Sequence, residues 1–172
     1  MLKIMGALLV VGASSLIGFG LSNRLTGRCR LLKIWLHILE ILKVEIYYQG
    51  NLLPEVFARI ARGIDDRDLA YGFEKLARSV TFGSGAELKG AWRNYPVQAG
   101  SGFLNQSDFL ILNELGDYLG STDREDQCEK IKLCQSRLQN NLNLAETDQH
   151  KKLNLFRYLG FATGAVLVLC LI

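Results

Sequence analysis

Leu31-Leu32-Lys33-Ile34-Trp35-Leu36-His37-Ile38-Leu39-Glu40-Ile41-Leu42-Lys43-Val44-Glu45-Ile46-Tyr47-Tyr48 is the stretch that decides the fold. Wound as a helix, it is apolar over nearly its whole circumference and leaves one narrow polar stripe of Lys33, His37, Glu40 and Lys43. Such a helix is either buried at the centre of a bundle or pressed against a membrane or a partner. No part of the chain shows sustained two-residue alternation bounded by turn signals, so strands are not expected. The chain reads as all-α.

Outward from this stretch the helical signals continue. Pro54 and Glu55 fall in a first helical turn that Asn51 is placed to cap, with Val56, Phe57 and Ile60 behind them. Asp65, Asp66 and Asp68 open a further helix carrying Leu69, Phe73, Leu76 and Val80 at core spacing, which Gly83-Ser84-Gly85 breaks. A short segment with Leu88 and Trp92 is expected to end at Pro96. Ser107 or Asn105 caps the next helix, with Phe109, Leu112, Leu115 and Leu119, and Gly120 terminates it. Thr122-Asp123-Arg124-Glu125 has the form of a capping box, Thr at the N-cap and Glu at the third position. Beyond it no Pro or Gly occurs until Gly160, and a helix unbroken from there to the end would run about 50 residues, or about 75 Å. Its core positions Ile131, Leu138 and Leu142 fade after Ala145 into the polar run Glu146 to Lys152, read as a solvated stalk.

The two ends carry the second informative pattern. Residues 4–23 contain no charge, and Arg24, Arg28, Arg30 and Lys33 follow with no acid among them. At the far end Lys151, Lys152 and Arg157 lead into the uncharged run 158–172. The net charge of +3 therefore conceals a division: residues 34–149 hold all 17 acids against 12 Lys and Arg. Basic collars beside apolar ends suit anionic lipid headgroups, whereas nucleic-acid binding would need the basic residues on the body. Residues 4–23 are long enough to cross the hydrocarbon core, with a cleaved signal peptide as the rival reading. Residues 153–172 either span, with Arg157 snorkelling, or embed more shallowly. The expected organisation is a transmembrane helix at 4–23, a cytoplasmic helical bundle at 24–150, and a transmembrane or membrane-embedded helix at 153–172. The collars place the bundle in the cytoplasm.

Catalytic chemistry is sparse. Asp65, Asp66 and Asp68 suit dipole and cap duty at a helix start better than acid catalysis or metal binding. His37 and Glu40 form a helix-surface pair, and His150 lies in the solvated stalk. Cys29, Cys128, Cys134 and Cys170 contain no Cys-x-x-Cys pair and read as free thiols in a reducing cytoplasm. Neither an enzyme nor a cofactor or metal is expected. Gly116 and Gly120, four apart, permit a close helix contact, although Gly120 serves equally as a cap.

Three passages carry a resemblance. They are Glu45-Ile46-Tyr47-Tyr48 leading to Leu53-Pro54-Glu55-Val56-Phe57; Leu112-Asn113-Glu114-Leu115-Gly116 through Leu119-Gly120-Ser121-Thr122-Asp123-Arg124-Glu125-Asp126-Gln127; and the apolar tail from Leu159-Gly160. Together with the anchors, the chain resembles the stage III sporulation protein AB family. That family is similar to a cytoplasmic domain of the inner-membrane platform protein of type II secretion and type IV pilus systems.

The resemblance implies a helical bundle with the Gly-containing turn between its last two helices. It also implies a place in the channel complex joining mother cell and forespore. The body would lie in the cytoplasm at the mother-cell membrane, engaging a secretion-type ATPase and other membrane subunits. Whether it also forms a homo-oligomer, through its apolar first helix, is left open by the sequence. A platform or adaptor of a type II secretion or type IV pilus-like system outside sporulation is the alternative. Where the family often has Thr-Pro before Leu-Pro-Glu, this chain has Asn51-Leu52, and Asn is also a capping residue. Candidate partner contacts are Tyr48, Leu53, Pro54, Glu55, Gly116, Gly120, Asp123, Arg124, Glu125 and Asp126. The competing reading gives these residues only caps and turns to build.

Overall fold

The computed structural model describes residues 26–49, 51–80, 85–99, 102–121 and 123–171, with side chains of the last helix described as far as Gln149 and at Lys151. The described residues form six helices and no strand, as the sequence predicts. Arg30–Leu142 make one compact unit, and the described residues on either side, 26–29 and 143–171, belong to a second. The predicted span at 4–23 lies outside the described residues, as do the side chains of the predicted segment 153–172. Among the described residues no helix is long and apolar enough to cross a membrane.

Helix α1 covers residues 26–44 and runs on as a π-helical turn, Glu45–Gln49. It is a central helix of the bundle. Leu32, Trp35, Ile38, Leu39 and Leu42 are fully buried, while Lys33, His37 and Glu40 keep their predicted stripe exposed. Each such buried side chain contributes about 1.5–3 kcal/mol of hydrophobic stabilisation. Glu40 bonds Lys43 and Gln135 rather than forming the pair predicted with His37. Those bonds hold its carboxyl below the ordinary range, so their contribution is lost as pH falls through the acid range.

The π-helical turn buries Glu45, whose carboxylate accepts from Arg59 and, at 2.7 Å, from Asn51 Nδ2. This corrects the predicted cap. Helix α2 (Leu53–Gly63) has Leu52 at its N-cap position and no side-chain cap, with Pro54 fixing the first turn. Arg59 serves one oxygen of the carboxylate and Asn51 the other, and a buried charged oxygen left without a donor costs more than a helix end left to water. Three residues turn the chain into α3 (Arg67–Val80), which folds back on α2. Asp66 caps α3, its Oδ1 accepting the Leu69 N–H at 3.2 Å, and Asp68 lies in the first turn.

Helix α4 (Gly85–Trp92) does not end at Pro96. It continues as a second π-helical turn, Arg93–Val97, with Pro96 buried inside it. Proline lacks the N–H and crowds the carbonyl four residues back, and the wider π-helical winding relaxes that clash. Helix α5 (Gln106–Gly116) starts from Asn105 in a reciprocal box with Asp108, at 2.9 and 3.1 Å. Asp108 is fully buried and also accepts from Asn141 Nδ2 of the last helix at 2.7 Å. Helix α6 (Arg124–Leu171) is one uninterrupted element of 48 residues, about 72 Å long. Ile131, Cys134, Leu138 and Leu142 are buried along it. Farther on, Gln149 Nε2 donates to Thr26 Oγ1 at 3.0 Å.

The centre of the larger unit is a cluster of four rings, one from each of α1 to α4. Trp35 lies 5.8 Å from both Phe73 and Trp92, Phe73 lies 5.9 Å from Trp92, and Phe57 lies 6.2 and 6.3 Å from Phe73 and Trp92.

Cys134 is buried beside Glu114, and burial first and that charge second push its thiol up to about 12. At pH 8 the native protein should therefore leave Cys134 unmodified by iodoacetamide, with full alkylation only in denaturant. Mass spectrometry of tryptic peptides reads this directly. Native labelling as fast as that of a free thiol would contradict the burial.

Candidate functional site

The two passages singled out in the sequence, Tyr48–Glu55 and Gly116–Asp126, meet in the fold. Gly120 is the one residue with positive φ among those described, at 72°. A Cβ placed on it would lie 3.1 Å from Leu53 Cδ1 and 3.1 Å from Leu88 Cδ2. The turn between α5 and α6 thus rests on the start of α2, and a glycine serves both its backbone geometry and its close approach.

Most of the Leu119–Gln127 block is used to build this turn. Helix α5 ends at Gly116, four residues earlier than predicted, and residues 117–121 form successive tight turns. The Gly120 N–H donates to Oε1 of the buried Gln127 at 3.2 Å. Asp123, not Thr122, caps α6: its Oδ1 accepts the Asp126 N–H at 2.8 Å. The start is one residue later than the predicted box, with Asp126 rather than Glu125 at the third position. A carboxylate at the N-cap satisfies the same N–H as a hydroxyl and also favours the positive end of the helix dipole.

Gly116 is buried and presents nothing to a partner. A Cβ there would fall 2.4 Å from Trp92 Cδ1, and the indole Nε1 donates to the Leu112 carbonyl at 2.8 Å. The close contact that the Gly116–Gly120 spacing permits is therefore between α5 and an indole. Asp117 ties the turn to α4 through Lys89 at 3.0 Å and Arg93 at 3.2 Å. Exposed pairs of this kind contribute at most about 1 kcal/mol each.

Two kinds of surface remain around this junction. Ser121, Asp123, Arg124 and Glu125 form an exposed polar corner. On the α2 side Tyr48 is 76% and Leu52 70% exposed, and the Tyr47 and Tyr48 rings stand edge to face at 4.8 Å. Leu53 and Pro54 are half-buried and Glu55 is exposed. Leu52, Leu53, Pro54, Ala58, Ala77 and Val80 line an open apolar groove of about 770 Å³, flanked by Glu55 and Arg78. Exposed tyrosine and leucine beside an apolar hollow have the composition of a protein-binding surface. Leu52, Ala58, Ala77 and Val80 were absent from the sequence-based candidates. The signal available for Leu52 was an unburied leucine just ahead of Leu53-Pro54-Glu55.

Comparison with known proteins agrees with this architecture. The solved structure of stage III sporulation protein AB (SpoIIIAB) has the same fold, with a TM-score of 0.63 at 24% identity, covering 73% of this chain and 98% of that one. Stage III sporulation protein AB of Bacillus subtilis (strain 168) is 29% identical over 172 residues, 99% of each chain. The family model for stage III sporulation protein AB matches residues 3–172. With that match across nearly its whole length, the chain belongs to the stage III sporulation protein AB family.

Proposed function

We propose that this protein is a non-enzymatic membrane platform of the sporulation channel complex between mother cell and forespore. In this reading it docks a secretion-type ATPase and other membrane subunits. The observation that carries the reading is the convergence of Tyr48–Glu55 and Gly116–Asp126 on one junction with an exposed polar corner. Family membership supports the sporulation context. The uncharged ends, 4–23 and 158–172, with their basic collars support two membrane attachments and a body on the cytoplasmic side of the mother-cell membrane. The polar corner supplies the ATPase contact, because Arg124 and Glu125 are exposed and the turn beneath them is fixed by Gly120, Asp123 and Gln127.

The test is co-purification of the tagged full chain with the sporulation ATPase from membranes of cells producing both. The unaltered chain should retain the ATPase. Arg124→Glu combined with Glu125→Arg should lower retention about tenfold without changing the melting temperature, since neither side chain caps a helix. Undiminished retention by that variant would remove the corner from the contact. No retention by the unaltered chain would remove the ATPase from the reading.

A further inference from the structure

The groove between α2 and α3 lies outside the polar corner, and its face is complementary to itself. Leu52 stands 70% exposed on the lip of the hollow, so one face offers both a protruding apolar side chain and a space to receive it. The two walls carry opposite charges, Glu55 on α2 and Arg78 on α3. Glu55 is in the first turn of α2 and Arg78 in the last turn of α3, and both flank the same groove.

We propose that this face seats a second copy of the same chain across a two-fold axis running along the groove. That operation sets α2 of one copy over α3 of the other. Leu52 then enters the facing hollow, and Glu55 meets the partner's Arg78 twice, once on each side of the axis. An axis across the groove would set α2 against α2 and forfeit both pairs. Arg78 already bonds Glu74 within α3, but a guanidinium carries five donors and serves a second carboxylate without releasing the first. The uncapped start of α2 also comes to lie near the C-terminal end of the facing α3, the favourable sense for the two helix dipoles.

Eight described residues line the groove, against roughly 20–30 a side in a standard interface, so the dimer is weak in dilute solution. Confinement of the chain to a surface would strengthen it by raising the effective concentration. This inference does not depend on the ATPase contact, which uses other residues.

Sedimentation velocity of the full chain in mild detergent, from about 1 to about 100 µM, tests it. The unaltered chain should pass from monomer to dimer over that range. Leu52→Asp should weaken association at least about thirtyfold without lowering the melting temperature, since Asp at this uncapped N-cap position itself favours the helix. Glu55→Arg and Arg78→Glu should each weaken it about tenfold, and the two together should restore it to near the original strength. With melting temperatures unchanged in the single variants, restoration places the pair between copies rather than across the groove of one chain. A monomer at every concentration, a dimer indifferent to Leu52→Asp, or a double variant weaker than either single one would each overturn the proposal. So would a lower melting temperature for Leu52→Asp in a chain that stays monomeric, because the groove would then be covered from within.

Discussion

Trp92→Ala is expected to remove about 4 kcal/mol of stability and to lower the melting temperature by about 15 °C. Trp92 is fully buried at the end of α4, within 6.3 Å of the rings of Trp35, Phe57 and Phe73. These three rings come from three other helices, so their removal from contact cannot be repaired by moving one element. The hollow left by the indole would be walled by side chains already fully buried, and a cavity that cannot collapse carries the full penalty. Each tilted or edge-on ring pair also contributes about 0.5–1.5 kcal/mol beyond the buried area. Trp92→Phe separates the components: it keeps a ring in the cluster but loses the bond from Nε1 to the Leu112 carbonyl, worth about 1 kcal/mol. Chemical and thermal unfolding of the full chain, followed by circular dichroism, should rank the native protein first, Trp92→Phe second and Trp92→Ala last. A loss below about 1 kcal/mol for the alanine variant would show that the four rings are not the centre of the bundle.

What the sequence made legible follows from how local each signal is. The burial of α1 could be read because its apolar circumference leaves a single polar stripe, and that stripe is exposed in the fold. The length of α6 could be read from a long absence of Gly and Pro. Asn105 was one of two possible caps and is the one used. The failures occur where several neighbouring residues could perform the same task or where the competitor is distant in sequence. Thr122 and Asp123 both cap well, and periodicity cannot choose between adjacent candidates. Asn51 was drawn to Glu45 because a π-helical turn buried that carboxylate, a demand invisible from Asn51 itself. Pro96 obeyed a rule for α-helices and met a π-helical turn. Tyr48–Glu55 and Gly116–Asp126 were singled out through resemblance, but that they meet was not legible, since nothing in either passage announces the Leu53–Gly120 contact. The groove is a tertiary product as well: the half-buried Ala58 and Val80 and the buried Ala77 line one hollow only because α3 folds back on α2.

Gly72→Val is expected to cost at least about 3 kcal/mol, although position 72 lies mid-helix and far from any predicted turn. Gly72 is buried where α3 meets the second π-helical turn. A Cβ there would lie 2.9 Å from Pro96 Cα and 3.0 Å from both the carbonyl carbon and the oxygen of Tyr95. These are backbone atoms, so no rotamer change can relieve the overlap, and α3 must move away from the turn. Ala already forces such a shift, at about 1–3 kcal/mol, and the two further methyl groups of Val enlarge it. The displacement is transmitted at once, because Phe73 is the next residue and contacts Trp35, Phe57 and Trp92. Gly90→Ala provides the opposite case. Nothing lies within 4 Å of a Cβ built at Gly90 in α4, so this change should stabilise the helix by about 0.5–1 kcal/mol. Unfolding free energies of the two alanine variants should therefore differ in sign. A neutral or stabilising Gly72→Ala would mean that α3 and the Pro96 turn are farther apart than the fold requires. Opposite signs would establish that glycine at position 72 is demanded by backbone packing and not by helix propensity, which by itself favours alanine at both sites.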